Sequence, residues 1–250
     1  MRPKLKAVWD ENFQVYGAQK LWRELRNQGE AVARCTVERL MRGLGLRGAV
    51  RGRPVRTTIP SARPCPLDQV NRDFSATRPN RLWVADFTYV STWQGHAFVA
   101  FVIDVFNREI VGWRATRSQA TPLVLDALEQ ALCARGIGAE DELIHHSDRG
   151  SQYLSICYTE RLKEAGIEPS VGSVGDSYDN ALAESVIGLF KTELIHRRGP
   201  WKRLQDLEYA TLEWVSWYNR KRLHSALGYL SPMDYVSRYH QHNRESAMAA

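Results

Sequence analysis

Three acidic residues, Asp86, Asp148 and Glu184, have the types and spacing that could do chemistry together. Asp86 sits in Leu82-Trp83-Val84-Ala85-Asp86-Phe87-Thr88-Tyr89-Val90, a run of apolar, aromatic and β-branched residues. A carboxylate so placed is poorly solvated and needs hydrogen-bond donors or a cation to offset the lost water. Asp148 follows the short stretch Glu142–Ser147, and strand ends in α/β sheets are where ligands bind, although a plain turn aspartate also explains it taken singly. Glu184 lies in Asp179-Asn180-Ala181-Leu182-Ala183-Glu184-Ser185, at the start of a helix, where an acid also serves the helix dipole. Each residue thus has a structural explanation of its own. As a set they are more informative: 35 residues lie between Asp148 and Glu184. Three converging oxygen donors suit Mg²⁺ or Mn²⁺, which keep positions open for a phosphate. Two such ions activate a hydroxyl and stabilise the departing oxygen of an in-line displacement.

The elements that must position these acids can be read from periodicity. Leu82–Val90, His96–Val105 and Glu109–Thr116 predict three strands joined by short turns, hence antiparallel. Thr121-Pro122 predicts the N-cap and first residue of a helix that Gly136 ends. A short strand over Glu142–Ser147, a helix over Gln152–Ala165, a strand over Glu168–Val171, a long helix from Asn180 to Arg197 and a last helix over Asp206–Asn219 complete the pattern. The order β-β-β-α-β-α-β-α predicts an α/β fold, a mixed five-stranded sheet flanked by helices in an RNase H-like layout; strand order is not readable from periodicity.

Ahead of this lies a different region. Residues 1–60 carry 13 Lys/Arg against 5 Asp/Glu, whereas the remaining 190 carry 21 against 23, so the whole net charge of +6 originates near the N-terminus. Such asymmetry is an electrostatic handle for nucleic acid or simply a solvated basic surface. Residues 4–46 read as helices, one around Lys20–Leu25 and one carrying Val37, Leu40, Met41 and Leu44 at helical spacing, with Thr36 as its N-cap and Gly43 and Gly45 stopping it. Joined through Gln28–Val32, they suggest a helix-turn-helix with Arg34, Arg39 and Arg42 facing outward; a plain helical hairpin with solvated arginines is the alternative. The division expected is residues 1–46 helix-turn-helix, 47–81 a basic Pro-rich linker, 82–200 the catalytic core and 201–250 a C-terminal helical extension. The arginines of the linker either track a phosphate backbone or belong to a soluble tether.

No apolar stretch approaches the roughly 18 residues needed to span a bilayer, so a cytoplasmic protein without membrane contact is expected. The four cysteines, at 35, 65, 133 and 157, are scattered and read as buried free thiols. His145 and His146 with Cys133 or Cys157 lack the ligand spacing of a transition-metal site. Asp104 reads as structural or edge-exposed, and Asp176 and Asp179 as turn or cap residues.

The Asp-Asp-(35)-Glu spacing, with Lys191 seven positions after Glu184, resembles the DDE transposases and retroviral integrases. More closely, His146-Ser147-Asp148-Arg149-Gly150-Ser151-Gln152-Tyr153 and the segment from Asp179 to Ser185 resemble bacterial insertion-sequence transposases of the IS-three type, in their second reading frame, OrfB. Tyr218-Asn219, Arg222, His224, Leu227-Gly228-Tyr229, Pro232 and Tyr235 match that family's C-terminal signature. The resemblance implies Asp86, Asp148 and Glu184 as catalytic metal ligands, with Mg²⁺ or in its place Mn²⁺, two ions per site. It implies cleavage at the element's ends followed by strand transfer on double-stranded DNA, by a homo-oligomer. Lys191, nearly two turns beyond Glu184 on the same face, would contact DNA as a point charge. Arg149 and Gln152 are DNA contacts or loop surface; Asn180 positions Glu184, contacts DNA or caps the helix. His224 touches DNA or packs the C-terminal tail. The chain looks short at its N-terminus beside that family, which raises the upstream-frame protein or its fusion as a partner. A truncated, non-catalytic DNA-binding regulator of the same element is the alternative reading.

Overall fold

The computed structural model describes residues 1–50, 52, 76–138, 141–148, 150–171 and 180–249. The chain forms two compact units, one of Met1–Arg53, Leu189–Gly199 and Ser216–Ala250, the other of Pro54–Gly188 and Pro200–Val215.

The first unit begins with α1 (Arg2–Glu11), α2 (Ala18–Asn27) and α3 (Arg34–Gly43). Leu21 and Leu25 of α2 and Val37 and Met41 of α3 are buried, the helical spacing expected of them. The start of α3 differs from the expected Thr36 cap. Ala33 is the extended N-cap residue, and the Trp22 indole donates to Val32 O at 2.9 Å, holding the chain extended up to that point. Helix formation then begins three residues earlier than a Thr36 cap would have set it. At the other end Gly45 adopts φ +66°, which only glycine takes without strain, and Leu46 N closes back onto Met41 O at 2.9 Å.

The second unit is built on β1 (Leu82–Thr92), β2 (Gly95–Asp104), β3 (Ile110–Thr116), β4 (Ile144–Ser147) and β5 (Glu168–Val171), in the order β3-β2-β1-β4-β5. The first three strands are antiparallel, and β4 and β5 run parallel to β1. Against one face pack α4 (Thr121–Arg135) and α5 (Ile156–Glu164), burying Trp83, Ala85, Ala100 and Val102 with Leu123, Ala127, Leu128, Tyr158 and Leu162. The approach of α4 is close: a Cβ at Gly112 would lie 2.1 Å from Ala127 O, so β3 can have only glycine there. The cap of α4 is Ala120 rather than Thr121, and Gly136 ends the helix at φ +60° as expected. Residues 152–154 form turns, and α5 starts after Ser155, whose hydroxyl caps Tyr158 N.

Beyond the sheet come α6 (Ala181–Phe190), a π-helical segment Lys191–Ile195, the short α7 (His196–Arg198), α8 (Leu204–Arg220) and α9 (Pro232–Ala249). The long helix expected from Asn180 to Arg197 is thus helical throughout but widens at Lys191. Within the first unit, Glu193 of the π segment pairs with Arg222 through contacts at 2.5 and 2.9 Å, both side chains buried. Trp217 donates to Asn12 Oδ1 at 3.1 Å, and Tyr16 accepts from Leu223 N at 2.8 Å, so the N-terminal helices and the C-terminal signature form one core. His224 belongs to it too, buried and edge-on to Tyr218 at 4.6 Å between ring centroids.

Most of the expected linker, residues 51 and 53–75, lies outside the described residues, as do Cys65, Arg149, Asp176 and Asp179. Two of its described arginines are committed to protein: Arg78 and Arg81 donate to Asp141 O and Glu142 O and pair with the Glu142 carboxylate. The three described cysteines, Cys35, Cys133 and Cys157, are free but exposed, not buried as expected, since each falls on the solvent side of its helix.

Candidate catalytic site

Asp86 and Asp148 are brought together by the sheet. β1 and β4 pair in parallel register, Leu82 with Ile144 through Ala85 with Ser147, and the next residue on each strand is an aspartate. Both are half-buried at the C-terminal end of the parallel pair. Alternation along β1 sends Ala85 into the core under α4 and α5 and Asp86 to the opposite side. One oxygen of Asp86 accepts from Phe87 N at 2.8 Å, and Asp148 accepts from Gly150 N at 2.9 Å. Burial nonetheless raises the Asp148 carboxyl above its usual range; the Gly150 amide opposes this only in part.

Tyr153 marks the same place from below. Its hydroxyl is buried without a hydrogen-bond partner among the described residues, and its ring packs 6.3 Å from Phe87 and 5.4 Å from Tyr158. Burial, then the Asp86 charge, then Tyr158 and Asp148 push that hydroxyl well above an ordinary tyrosine. A buried hydroxyl within the field of two carboxylates lacks compensation that a cation or a water would supply. Sequence reasoning quoted Tyr153 in a motif but gave it no role; its position five residues after Asp148 is the signal that was present. Gln152 is half-buried, and its Oε1 lies 3.1 Å from where a Gly150 Cβ would be, so the turn closes tightly over Asp148.

Glu184 is exposed in the first turn of α6 and donates its N–H to Asn180 O at 3.0 Å. Asn180 does more than begin the helix. Its buried side chain donates to Ala85 O at 3.1 Å, fastening the start of α6 to β1 one residue before Asp86. Among the described residues, no group of three or more His, Cys, Asp or Glu side chains lies close enough together to hold a metal ion. The sheet therefore unites two of the three acids, and the Asn180 contact ties the third to the same strand. Lys191 is half-buried at the first position of the π segment.

Arg34, Arg39 and Arg42 are all exposed on α3, opposite Val37 and Met41. Arg34 is engaged by Gln19 at 3.3 Å and Glu38 at 3.1 Å.

His145 and His146 are structural. They are buried on β4, one bonded to the Tyr158 hydroxyl at 3.0 Å and the other to Ser170 at 2.9 Å. Burial, then the neighbouring His146, hold the His145 imidazole neutral down to about pH 3. Asp104 is likewise structural and fully buried, accepting from Asn80 N and Phe106 N at 2.9 Å each.

Comparison with known proteins gives this geometry a context. The family described as "Integrase core domain" matches residues 76–177 and, in a second form, 165–232; an "HTH-like domain" matches residues 2–54. The chain is 55% identical over 240 residues to the transposase for insertion sequence element IS629 of Shigella sonnei, covering 96% of this chain and 80% of the relative. It is 56% identical over 135 residues to the transposase for insertion sequence element IS3411 of Escherichia coli, covering 54% and 56%. The fold is similar to that of the HTLV-2 integrase catalytic core domain solved in complex with magnesium, with TM-score 0.52 and 17% identity over 64% of this chain and 99% of that one.

Proposed function

The chain belongs to the insertion-sequence transposases of the IS-three type, with an integrase core domain and an HTH-like domain, and from that premise we propose how it acts on DNA. Asp86, Asp148 and Glu184 hold divalent cations at the C-terminal edge of β1 and β4, two per site, Mg²⁺ with Mn²⁺ able to replace it. The observation that carries this reading is the juxtaposition of Asp86 and Asp148 on adjacent parallel strands, with the unpartnered Tyr153 hydroxyl in their field. An all-oxygen donor set, two of its carboxylates half-buried, fits a hard divalent ion. Glu184 is assigned as third ligand on its spacing and on the Asn180–Ala85 contact rather than on a distance. When bound, such ions lower the pKa of an attacking water or hydroxyl and stabilise the departing oxygen.

The protein's own groups hold and orient the DNA. Lys191, Arg149, Gln152 and Asn180 are assigned as DNA contacts, with Lys191 contributing a point charge to a phosphate. In the first reaction, water adds to a phosphodiester at an element end; the P–O3′ bond breaks and a 3′-hydroxyl is released. In the second, that hydroxyl attacks another phosphodiester, so one P–O bond replaces another and no external energy source is needed. No enzyme–DNA covalent bond forms. Residues 1–46 act as the DNA-binding arm through Arg34, Arg39 and Arg42 on α3, residues 47–81 as a linker, and residues 82–200 as the core, followed by 201–250 as the helical extension. Joining two ends calls for at least two protomers. Among the described residues no helix is long and apolar enough to cross a membrane, in keeping with action on DNA in the cytoplasm. The reading as a non-catalytic regulator finds no support in the comparisons, nor does a partner from the upstream frame.

The test is strand cleavage and joining by the full chain on DNA carrying its element's ends, with Mg²⁺ or Mn²⁺. Asp86→Asn, Asp148→Asn and Glu184→Gln should each retain DNA binding and lose cutting. A Glu184→Gln protein as fast as wild type would remove Glu184 from the ligand set.

A further inference from the structure

Gly228 and Tyr229 of the C-terminal signature play no part in the chemistry above, yet with Leu230 they wall an open polar cavity of about 520 Å³ in the first unit. The other walls are α2, through Arg23 and Asn27, and α9, through Asp234 and Arg238. None of the α3 arginines lines it. We propose that this groove is a phosphodiester-binding site for the DNA backbone, distinct from the α3 surface and from the carboxylate site.

Its charge is the first argument. Two arginines face a single acid, Asp234, which is already occupied: one oxygen accepts from the Ser231 hydroxyl at 2.7 Å, and Asp234 N donates back to that hydroxyl at 3.1 Å, capping α9. Among the described residues neither Arg23 nor Arg238 forms an ion pair.

The second argument is the way Arg23 is held. Its guanidinium lies 4.7 Å from the centre of the Tyr229 ring and 5.1 Å from that of Trp22, and its Nε is buried with no hydrogen-bond partner. Aromatic contacts engage the flat face of a guanidinium and leave its edge donors for an in-plane acceptor, the geometry that suits phosphate oxygens.

Backbone strain is the third. Tyr229 takes φ +66° directly after Gly228 at φ +65°, a conformation that bulky residues rarely adopt. Tyr229 N donates to His224 O at 2.8 Å, which holds the strained turn and keeps the ring under Arg23. Strain of this kind persists where surrounding structure enforces it, often at ligand clamps. Asn27 adds a side-chain amide at the rim. An α2 groove that grips phosphates reads no sequence; it fixes the orientation of the arm on the duplex while α3 makes its own contacts.

That the polyanion is DNA rests on the transposase reading, and the experiment separates the two. The full chain is titrated with a non-specific duplex over a salt series. Arg23→Ala/Arg238→Ala should lower the slope of log K against log salt by about 2, and weaken binding on the order of tenfold per arginine near 0.1 M salt. Arg238→Glu, at an exposed position where folding is not at issue, should weaken it further. Arg244→Ala, farther along α9 and outside the groove, should leave the slope unchanged. Slopes that match wild type in both the double variant and Arg238→Glu overturn the proposal. So does a change confined to oligomer size in light scattering, which would assign the groove to a second copy of the chain. Asp148→Asn serves as the crossed control. Loss of cutting in the wild type with the slope difference intact refutes the transposase reading alone; normal cutting with equal slopes refutes the groove alone.

Discussion

Two of the places where the described residues bury charge, the Glu193–Arg222 pair and the Asp86–Asp148 pair, do so in opposite ways. In the helical unit Glu193 and Arg222 bury one charge of each sign, with the guanidinium gripping both carboxylate oxygens. In the sheet unit Asp86 and Asp148 set two like charges side by side, and burial drives Asp148 toward its protonated form. A matched pair completes its own electrostatics and adds definition to the fold. Two like charges repel, and a cation held between them would relieve that repulsion. Burial of charge alone therefore does not identify a reactive site; the sign of what lies next to it does.

Removing members of each pair should bring out this contrast. The largest effect is expected at the sheet: Asp148→Asn should slow strand cleavage by about a thousandfold, several kcal/mol of lost transition-state stabilisation. In the absence of metal the same variant should melt no lower than wild type, since it removes a charge the fold disfavours. A clear drop in melting temperature would make Asp148 a structural residue and dissolve the contrast.

Arg222→Met tests the other pair. It takes from buried Glu193 the guanidinium that grips both its oxygens, leaving the nearby charge of Lys20, and should lower unfolding free energy by about 3–5 kcal/mol in urea titrations. A loss below about 1 kcal/mol would mean that the pair is reached by water and is not the counterpart drawn here.

A smaller effect concerns His145, buried beside the carboxylates yet outside the chemistry. Its folded-state pKa, about 3, lies below the unfolded value. Its contribution is therefore fully present above the unfolded pKa near 6.5 and is lost as pH falls toward 3, because the unfolded state takes up the proton first. This adds a slope of up to about 1.4 kcal/mol per pH unit within that window. His145→Phe should flatten stability against pH there; an unchanged profile would mean that His145 accepts a proton in the folded state.

The smallest stability effect is expected at the surface. Arg34→Ala breaks an exposed pair with Glu38, worth about 0.3–0.5 kcal/mol. It should nevertheless reduce the salt slope of DNA binding by about 0.9 if α3 contacts a phosphate through it. A large loss of stability with no change in slope would reverse the expected role.

The parts of this arrangement that sequence made legible are local or strictly periodic. Five strands, their order along the chain, and the placing of Asp86 and Asp148 at strand positions follow from runs of β-branched and aromatic residues with turns between them. The outward arginines of α3 follow from the spacing of Val37 and Met41. What escaped depends on partners distant in sequence. Periodicity contains no information that β4 docks beside β1, so the adjacency of the two aspartates was inferred only through a family resemblance. Asn180 stayed open between a cap, a residue positioning Glu184 and a DNA contact, because its contact to Ala85 spans 95 residues. Nothing local singles out Glu193, because its partner Arg222 lies 29 positions on. Thr36 and Thr121 had the right chemistry for caps, but the boundaries were set elsewhere, at Ala33 by the Trp22–Val32 contact and at Ala120 by the backbone's own extended turn.

The Asn180 clasp has a consequence for how such a protein can change. Val171 is paired with Ser147, one residue before Asp148, and Asn180 is fastened to Ala85, one residue before Asp86. A substitution at Asn180 would therefore act on β1 beside Asp86, and not only on the helix that Asn180 opens.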